Sequence, residues 1–208
     1  FRSDPNPVAH AVRWTIGRCV SQSGNYLRGF LRLGFNSAED GRTVFDGLNP
    51  IVAHRQLTLN VRFGTPGGLA YLYEAGSDGP DWWGEYDDKA RGLGTSSLLD
   101  RCNAARNCPK IVETFGSAEF WNLRASPALV GADAHTDIPL PANVRRYYNA
   151  SVTHNGGAGG FSLTTPPVKG CVLAANPNPS SDTGRAMFQA LIDWVTRGIE
   201  PPPSRYPT

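Results

Sequence analysis

Residues 11–24 constrain this chain most. AVRWTIGRCV, with the Val, Trp, Thr and Ile content of a buried strand, runs directly into SQSG. The Ser- and Gly-rich stretch ends that strand in a tight turn. Beyond it Tyr26, Leu27, Phe30, Leu31 and Leu33 recur at helical spacing, and Gly34 supplies a C-terminal stop. The unit is strand, sharp turn, helix, a building block of α/β folds.

A turn of this kind exposes a serine at its tip, as a nucleophile elbow does. Two registers are available, Cys19-Val20-Ser21-Gln22-Ser23 and Ser21-Gln22-Ser23-Gly24-Asn25. Ser21 is preferred, because its register places small residues, Cys19 and Ser23, at both flanking positions, whereas the other places Asn25 there. Gln22 would then offer its backbone N–H to an oxyanion at the start of the helix, where the helix dipole also favours negative charge. The plain alternative is a serine-rich turn capping an ordinary helix.

Chain order adds weight to Ser21. Where an elbow serine acts with an acid and a histidine, these follow in the order Ser, Asp or Glu, His, each after a successive strand. Downstream, KIVETF at 110–115 reads as a buried strand and runs into Gly116-Ser117-Ala118-Glu119. NVRRYY at 143–148 reads as the last strand, and His154 follows it in the loop ASVTHNGGAGG. A histidine there suits a general base that takes the serine proton and returns it to a leaving group, with Glu119 orienting the ring. Taken singly, Glu119 would be a solvated acid and His154 a polar loop residue. The segment GADAHTDIPL offers competitors: His135 as base, and Asp137 or Asp133 as acid. His135 precedes the last strand, so the order favours His154. His10 and His54 fall in segments without a matching role and read as structural.

Between these elements, TVFDGLNPIVAH is a short apolar stretch broken by Gly47 and Pro50, and LTLNVRFG alternates like a strand or an extended loop. Residues 64–109 read as a mostly irregular, lid-like insertion rich in Gly and Asp. Its Trp82 and Trp83 suggest an acyl, aromatic or carbohydrate surface, or the private core of a long loop. Met187, Ala190, Leu191, Trp194 and Val195 mark an amphipathic helix ending at Gly198, before the tail EPPPSRYP.

At 208 residues the chain has room for one domain with a sizeable core, spanning 1–208. No apolar run approaches the roughly 20 residues that cross a bilayer. A net charge of +2, with basic residues scattered, argues against nucleic acid as the partner. The four cysteines include no C-x-x-C pair and have no His at zinc spacing, so no structural metal is expected, and attack by an activated Ser21 would need neither a metal nor an organic cofactor. Cys102 and Cys108 bracket a short polar loop and suit a small disulfide, which places the protein in a secreted or periplasmic setting. Whether Cys19 and Cys171 pair is open.

These residues resemble bacterial α/β-hydrolase-domain proteins. The similarity runs nearly end to end, through VSQSGNYLRGFLRLGFN, GRTVFDG, the RC…CPK loop, SAEFW, the HTD segment and EPPPSRYP. This chain carries Cys19 where such elbows usually have Gly, and Asn25 where they have Arg. The resemblance implies a mostly parallel sheet with flanking helices, the C-terminal half of that fold, and a serine esterase acting on a small-molecule ester. It further implies upstream strands, one of them carrying a second oxyanion donor, supplied by a preceding part of the same protein or by another chain. Rival expectations are a non-catalytic binding module on the same fold, and a peptidase or transacylase on the same three residues.

Overall fold

A computed structural model describes residues 11–54, 79–92, 94–123, 125–157 and 169–208. The expected strand or loop at 57–64, His10 and part of the 64–109 insertion lie outside the described residues.

The elements are β1 (Ile16–Val20), α1 (Gln22–Arg32), β2 (Gly47–Ile51), β3 (Tyr86–Asp88), β4 (Gly94–Ser96), α2 (Asp100–Ala105), β5 (Lys110–Gly116), α3 (Ser117–Trp121), α4 (Pro127–Val130), β6 (Val144–Asn149) and α5 (Ser181–Arg197). The main sheet has the order β1-β2-β5-β6, and each pairing is parallel. The strands expected at 11–20, 110–115 and 143–148 are β1, β5 and β6. Both expected helices form, and each stops at a glycine with positive φ, Gly34 at 82° and Gly198 at 71°, as left-handed C-terminal caps require.

A parallel sheet buries both faces, so residues on either side of each strand need an apolar partner. Leu27 and Leu31 of α1 pack with Leu48, Ile111 and Val144 on one face. Leu191, Trp194 and Val195 of α5 pack with Val112 and Tyr147 on the other. Ile111 and Val112 are neighbours in β5, so the period of two divides the core between the two helices.

On the α1 face of β5, two residues beyond Ile111, stands Glu113. It pairs with Arg28 of α1 and, at 2.7 Å, with Nε of Arg146 on β6, and all three side chains are at most 1% exposed. Arg28 also stacks over the Trp83 ring at 4.5 Å. One buried carboxylate therefore ties two strands and a helix together.

The insertion contains regular structure: β3 and β4 pair antiparallel, and α2 follows. Trp82 and Trp83 are buried, at 0% and 1% exposure. Trp82 donates to the Ser96 carbonyl at 2.7 Å, and Trp83 joins the α1-side core. They thus form core rather than a substrate surface, because the segment folds back against α1. Cys102 and Cys108 form a disulfide, while Cys19 and Cys171 are free.

The proline-containing stretch at 47–51 is a strand in the interior of the sheet, where proline normally removes a ladder bond. Val52 N–H donates to Thr114 O at 2.7 Å, so by alternation an N–H at position 50 would face Val112 O. Pro50 has none. The Asn49 side-chain amide donates to that carbonyl instead, at 2.7 Å. At the opposite edge the tail covers β6: Arg205 N–H donates to Arg146 O at 2.9 Å and Tyr148 N–H to Arg205 O at 2.7 Å. This removes an open edge. Replacing Asn49 with Ala strands the buried Val112 carbonyl; a loss of about 1–3 kcal/mol is expected from urea unfolding midpoints.

Candidate functional site

β1 ends at Val20 and α1 begins at Gln22, so Ser21 alone makes the turn. It does so at φ 55°, ψ −123°, a conformation that costs an L-residue energy and persists only where its surroundings enforce it. The enforcement is visible. Ser21 N–H donates to Ile51 O at 2.8 Å, and Ser21 O accepts from Asn25 N–H at 2.9 Å. At Gly24 the helix lies so close to β2 that a Cβ there would stand 2.6 Å from the Ala53 Cβ and 3.1 Å from Cys19 O. The crowded position is therefore Gly24 rather than Ser23, which is exposed.

β5 ends at Gly116, and α3 lifts Glu119 into a nearly closed environment, 1% exposed. Glu119 Oε2 accepts the Gly116 N–H at 2.6 Å. A side chain at Gly116 would press on Val152 O at 2.9 Å, so glycine permits the approach of the loop after β6. That loop is fastened by Ala118 N–H to Val152 O at 3.3 Å and Ser151 N–H to Ser117 Oγ at 2.8 Å.

The loop delivers His154 between the other two residues. His154 Nδ1 lies 2.6 Å from Glu119 Oε1, and Nε2 lies 2.8 Å from Ser21 Oγ. The three side chains form a continuous hydrogen-bonded relay, with the ring one-third exposed and the carboxylate buried. With Nδ1–H donated to the carboxylate, Nε2 presents a lone pair to the serine hydroxyl. An arrangement of this kind can draw a proton from Ser21 while the oxygen attacks an electrophile. Gln22, the first residue of α1, has a backbone N–H with no intrahelical acceptor, as helix geometry dictates, and it lines a small pocket together with Ser21.

Residues 2–208 match the alpha/beta hydrolase domain family. The chain belongs to that family. Comparison with curated proteins and with solved structures gave no match. The parallel sheet with helices on both faces is that of an alpha/beta hydrolase, and the elbow, acid and histidine segments all lie at the C-terminal ends of its strands.

The competing residues lie elsewhere. Asp133, His135 and Asp137 are exposed on the loop between α4 and β6, where Asp133 Oδ1 accepts the His135 backbone N–H at 3.2 Å. Among the described residues no cluster of His, Cys, Asp and Glu is arranged to hold a metal.

A small pocket of about 30 Å³ opens beside Ser21, lined by Gln22, Asn25, Val52, His54, Glu119 and Leu123. Val52 sits at φ 47°, rare for a β-branched residue, and this turn brings His54 under the pocket. Nothing in the sequence around His54 announced that position. The ring is 5% exposed, packs at a tilt of 57° against Phe115 with ring centroids 4.2 Å apart, and stands 3.6 Å from Glu113 Oε1. Burial, aided by Arg28 and Arg146, outweighs Glu113 and lowers its pKa to about 3. Burial alone would raise the Glu113 carboxyl, but His54, Arg146 and Arg28 bring it down to about 2.

Two outcomes follow. Gly24→Ala is expected to lose about 1–3 kcal/mol in denaturant unfolding through overpacking against Ala53. Because the folded pKa of His54 lies below its ordinary 6.5, the unfolded chain takes up that proton first. The stability of the neutral ring is present above pH 6.5 and is lost as pH falls towards 3. Glu113 adds a loss in the same direction between 4.5 and about 2. Unfolding midpoints across a pH series should fall on acidification, with the slope between pH 6.5 and 4.5 flattened in His54→Leu.

Proposed function

We propose that the protein is a serine hydrolase of carboxylic esters, with Ser21 as nucleophile, His154 as general base and acid, and Glu119 as the orienting carboxylate. The observation that carries this reading is the relay from Ser21 Oγ through His154 to Glu119, at 2.8 and 2.6 Å, on a serine held at φ 55°. Ser21 Oγ attacks the ester carbonyl as its proton passes to His154 Nε2. Charge develops on the carbonyl oxygen, and the Gln22 N–H at the helix start receives it. His154 then protonates the departing alcohol, leaving an acyl group on Ser21. Water repeats the sequence and frees the acid. Throughout, Glu119 accepts the Nδ1–H and stabilises the imidazolium.

The Gly116 N–H on Oε2 supports this role, since it leaves Oε1 directed at His154. The Cys102–Cys108 disulfide supports a secreted or periplasmic setting, and among the described residues no helix is long and apolar enough to cross a membrane.

A fluorophosphonate probe is expected to label the protein at Ser21, and Ser21→Ala to abolish labelling. On aryl esters, Ser21→Ala and His154→Ala should each lower kcat by at least about 10³-fold, with His135→Ala unchanged. Ester turnover by Ser21→Ala at the unmodified rate would exclude the proposal. Absence of labelling, in a protein with a normal unfolding transition, would favour a binding module on the same fold.

A further inference from the structure

Ser151 is the strained residue of the loop that carries His154. It sits at φ 56°, a conformation that a residue with a Cβ keeps only where its neighbours enforce it. Burial does not enforce it, because Ser151 is exposed. Side chains from two other segments do. Ser117 Oγ accepts the Ser151 N–H at 2.8 Å. On the opposite side, Ser151 O accepts from Asn176 Nδ2 at 2.6 Å and from Asn178 Nδ2 at 3.4 Å.

Ser117 makes a second bond, since its Oγ lies 2.6 Å from the Tyr148 hydroxyl oxygen on β6. Tyr148 is in turn packed against the buried cluster of Phe115, Ala128 and Leu129. The exposed turn at Ser151 is thereby tied to the core through one serine. That serine is the first residue of α3, two positions before Glu119, and Ser151 stands three positions before His154. A single hydroxyl thus joins the helix that presents the acid to the loop that presents the histidine. The neighbouring bond from Ala118 N–H to Val152 O is longer, at 3.3 Å, and engages the residue after the strained one.

We propose that Ser117 is a positioning residue: its hydroxyl, braced by Tyr148, holds Ser151 in the left-handed conformation and so sets His154 between Glu119 and Ser21. The kinetic part of the proposal rests on the Ser21 hydrolase reading given above. Without the hydroxyl, Ser151 returns to negative φ, the loop takes another path, and His154 gives up its contacts at 2.6 and 2.8 Å. The lost bond is at the surface, so the fold loses little. The reaction loses more, because a reacting group misplaced by about 1 Å costs about 10²-fold in rate.

The test compares Ser117→Ala, Ser117→Thr and Tyr148→Phe with the unmodified protein in urea unfolding, in aryl-ester kinetics and in the proton NMR signal of His154 Nδ1–H, which a short bond to a carboxylate moves far downfield. Ser117→Ala is expected to unfold at nearly the unmodified midpoint, to lose at least about tenfold in kcat with KM unchanged, and to lose the downfield signal. Ser117→Thr, which keeps the hydroxyl, should restore both, and Tyr148→Phe should fall between. An unchanged kcat and signal in folded Ser117→Ala overturn the proposal, as does a rise in KM alone or a loss that Ser117→Thr leaves unrestored. Where Ser117→Ala does not fold, Tyr148→Phe decides by the same readouts. If the unmodified protein neither turns over esters nor is labelled by the fluorophosphonate, the hydrolase reading falls, while the NMR comparison still decides whether Ser117 sets His154.

Discussion

Glu113 is the residue on which the geometry of the site depends. It stands in β5 and reaches Arg28 on α1 and Arg146 on β6, with all three side chains nearly dry. Those elements also carry the three residues of the hydrogen-bonded relay. Ser21 immediately precedes α1, Glu119 follows β5 and His154 follows β6. Removing one partner from such a cluster leaves an uncompensated buried charge, at a cost of about 3–5 kcal/mol. Apolar packing tolerates small slips of a helix over a sheet, whereas a carboxylate shared between two guanidinium groups does not. The cluster therefore acts as a gauge that fixes α1 and β6 against β5, and it fixes the spacing of the relay from beneath.

Backbone strain is distributed around the same region. Ser21, Val52 and Ser151 all hold positive φ, at 55°, 47° and 56°. Each follows or closely follows a strand at the edge where the relay assembles: after β1, after β2 and after β6. Such conformations each cost about 1–3 kcal/mol and persist only when neighbouring contacts determine them. Here the neighbours are identifiable. The Ile51 carbonyl takes the Ser21 N–H, Thr114 takes the Val52 N–H, and Ser117 Oγ takes the Ser151 N–H. Sheet bonds that ordinarily continue a ladder are used at this edge to bend the chain.

The legible parts of the sequence were those in which local chemistry and global packing agree. β1, α1, β5, β6 and α5 have the composition and period of what they are, and Gly34 and Gly198 end their helices as expected. β2 was obscured because two of its five residues, Gly47 and Pro50, disfavour a strand. Its remedy, an Asn49 amide bonded to Val112 O, depends on a neighbour 63 positions away and leaves no local signal. Trp82 and Trp83 were ambiguous for a similar reason. An aromatic pair in an irregular stretch looks alike whether it faces a ligand or α1, and the stacking of Arg28 on Trp83 is a tertiary fact. The small flanking residue expected at Ser23 is open to solvent, and the steric demand falls on Gly24 instead, where α1 passes the end of β2.

His54 and His154 show where sequence reasoning gains and loses its purchase. Every strand in a parallel sheet ends at the same edge, so residues placed just after β1, β5 and β6 are brought to one side of the molecule by topology alone. Order along the chain is then a proxy for proximity in space. His154 could be selected over His135 on that ground, because one follows the last strand and the other precedes it. His54 follows β2 and obeys the same rule. It was passed over because β2 itself was illegible and because no role in a three-residue relay remained to be filled. Topology brings a residue to the edge that carries the relay whether or not a known mechanism requires it. A buried, neutral imidazole at that edge, lining the same pocket as Ser21 and with neither ring nitrogen hydrogen-bonded to a described residue, is the part of the site that a motif could not describe.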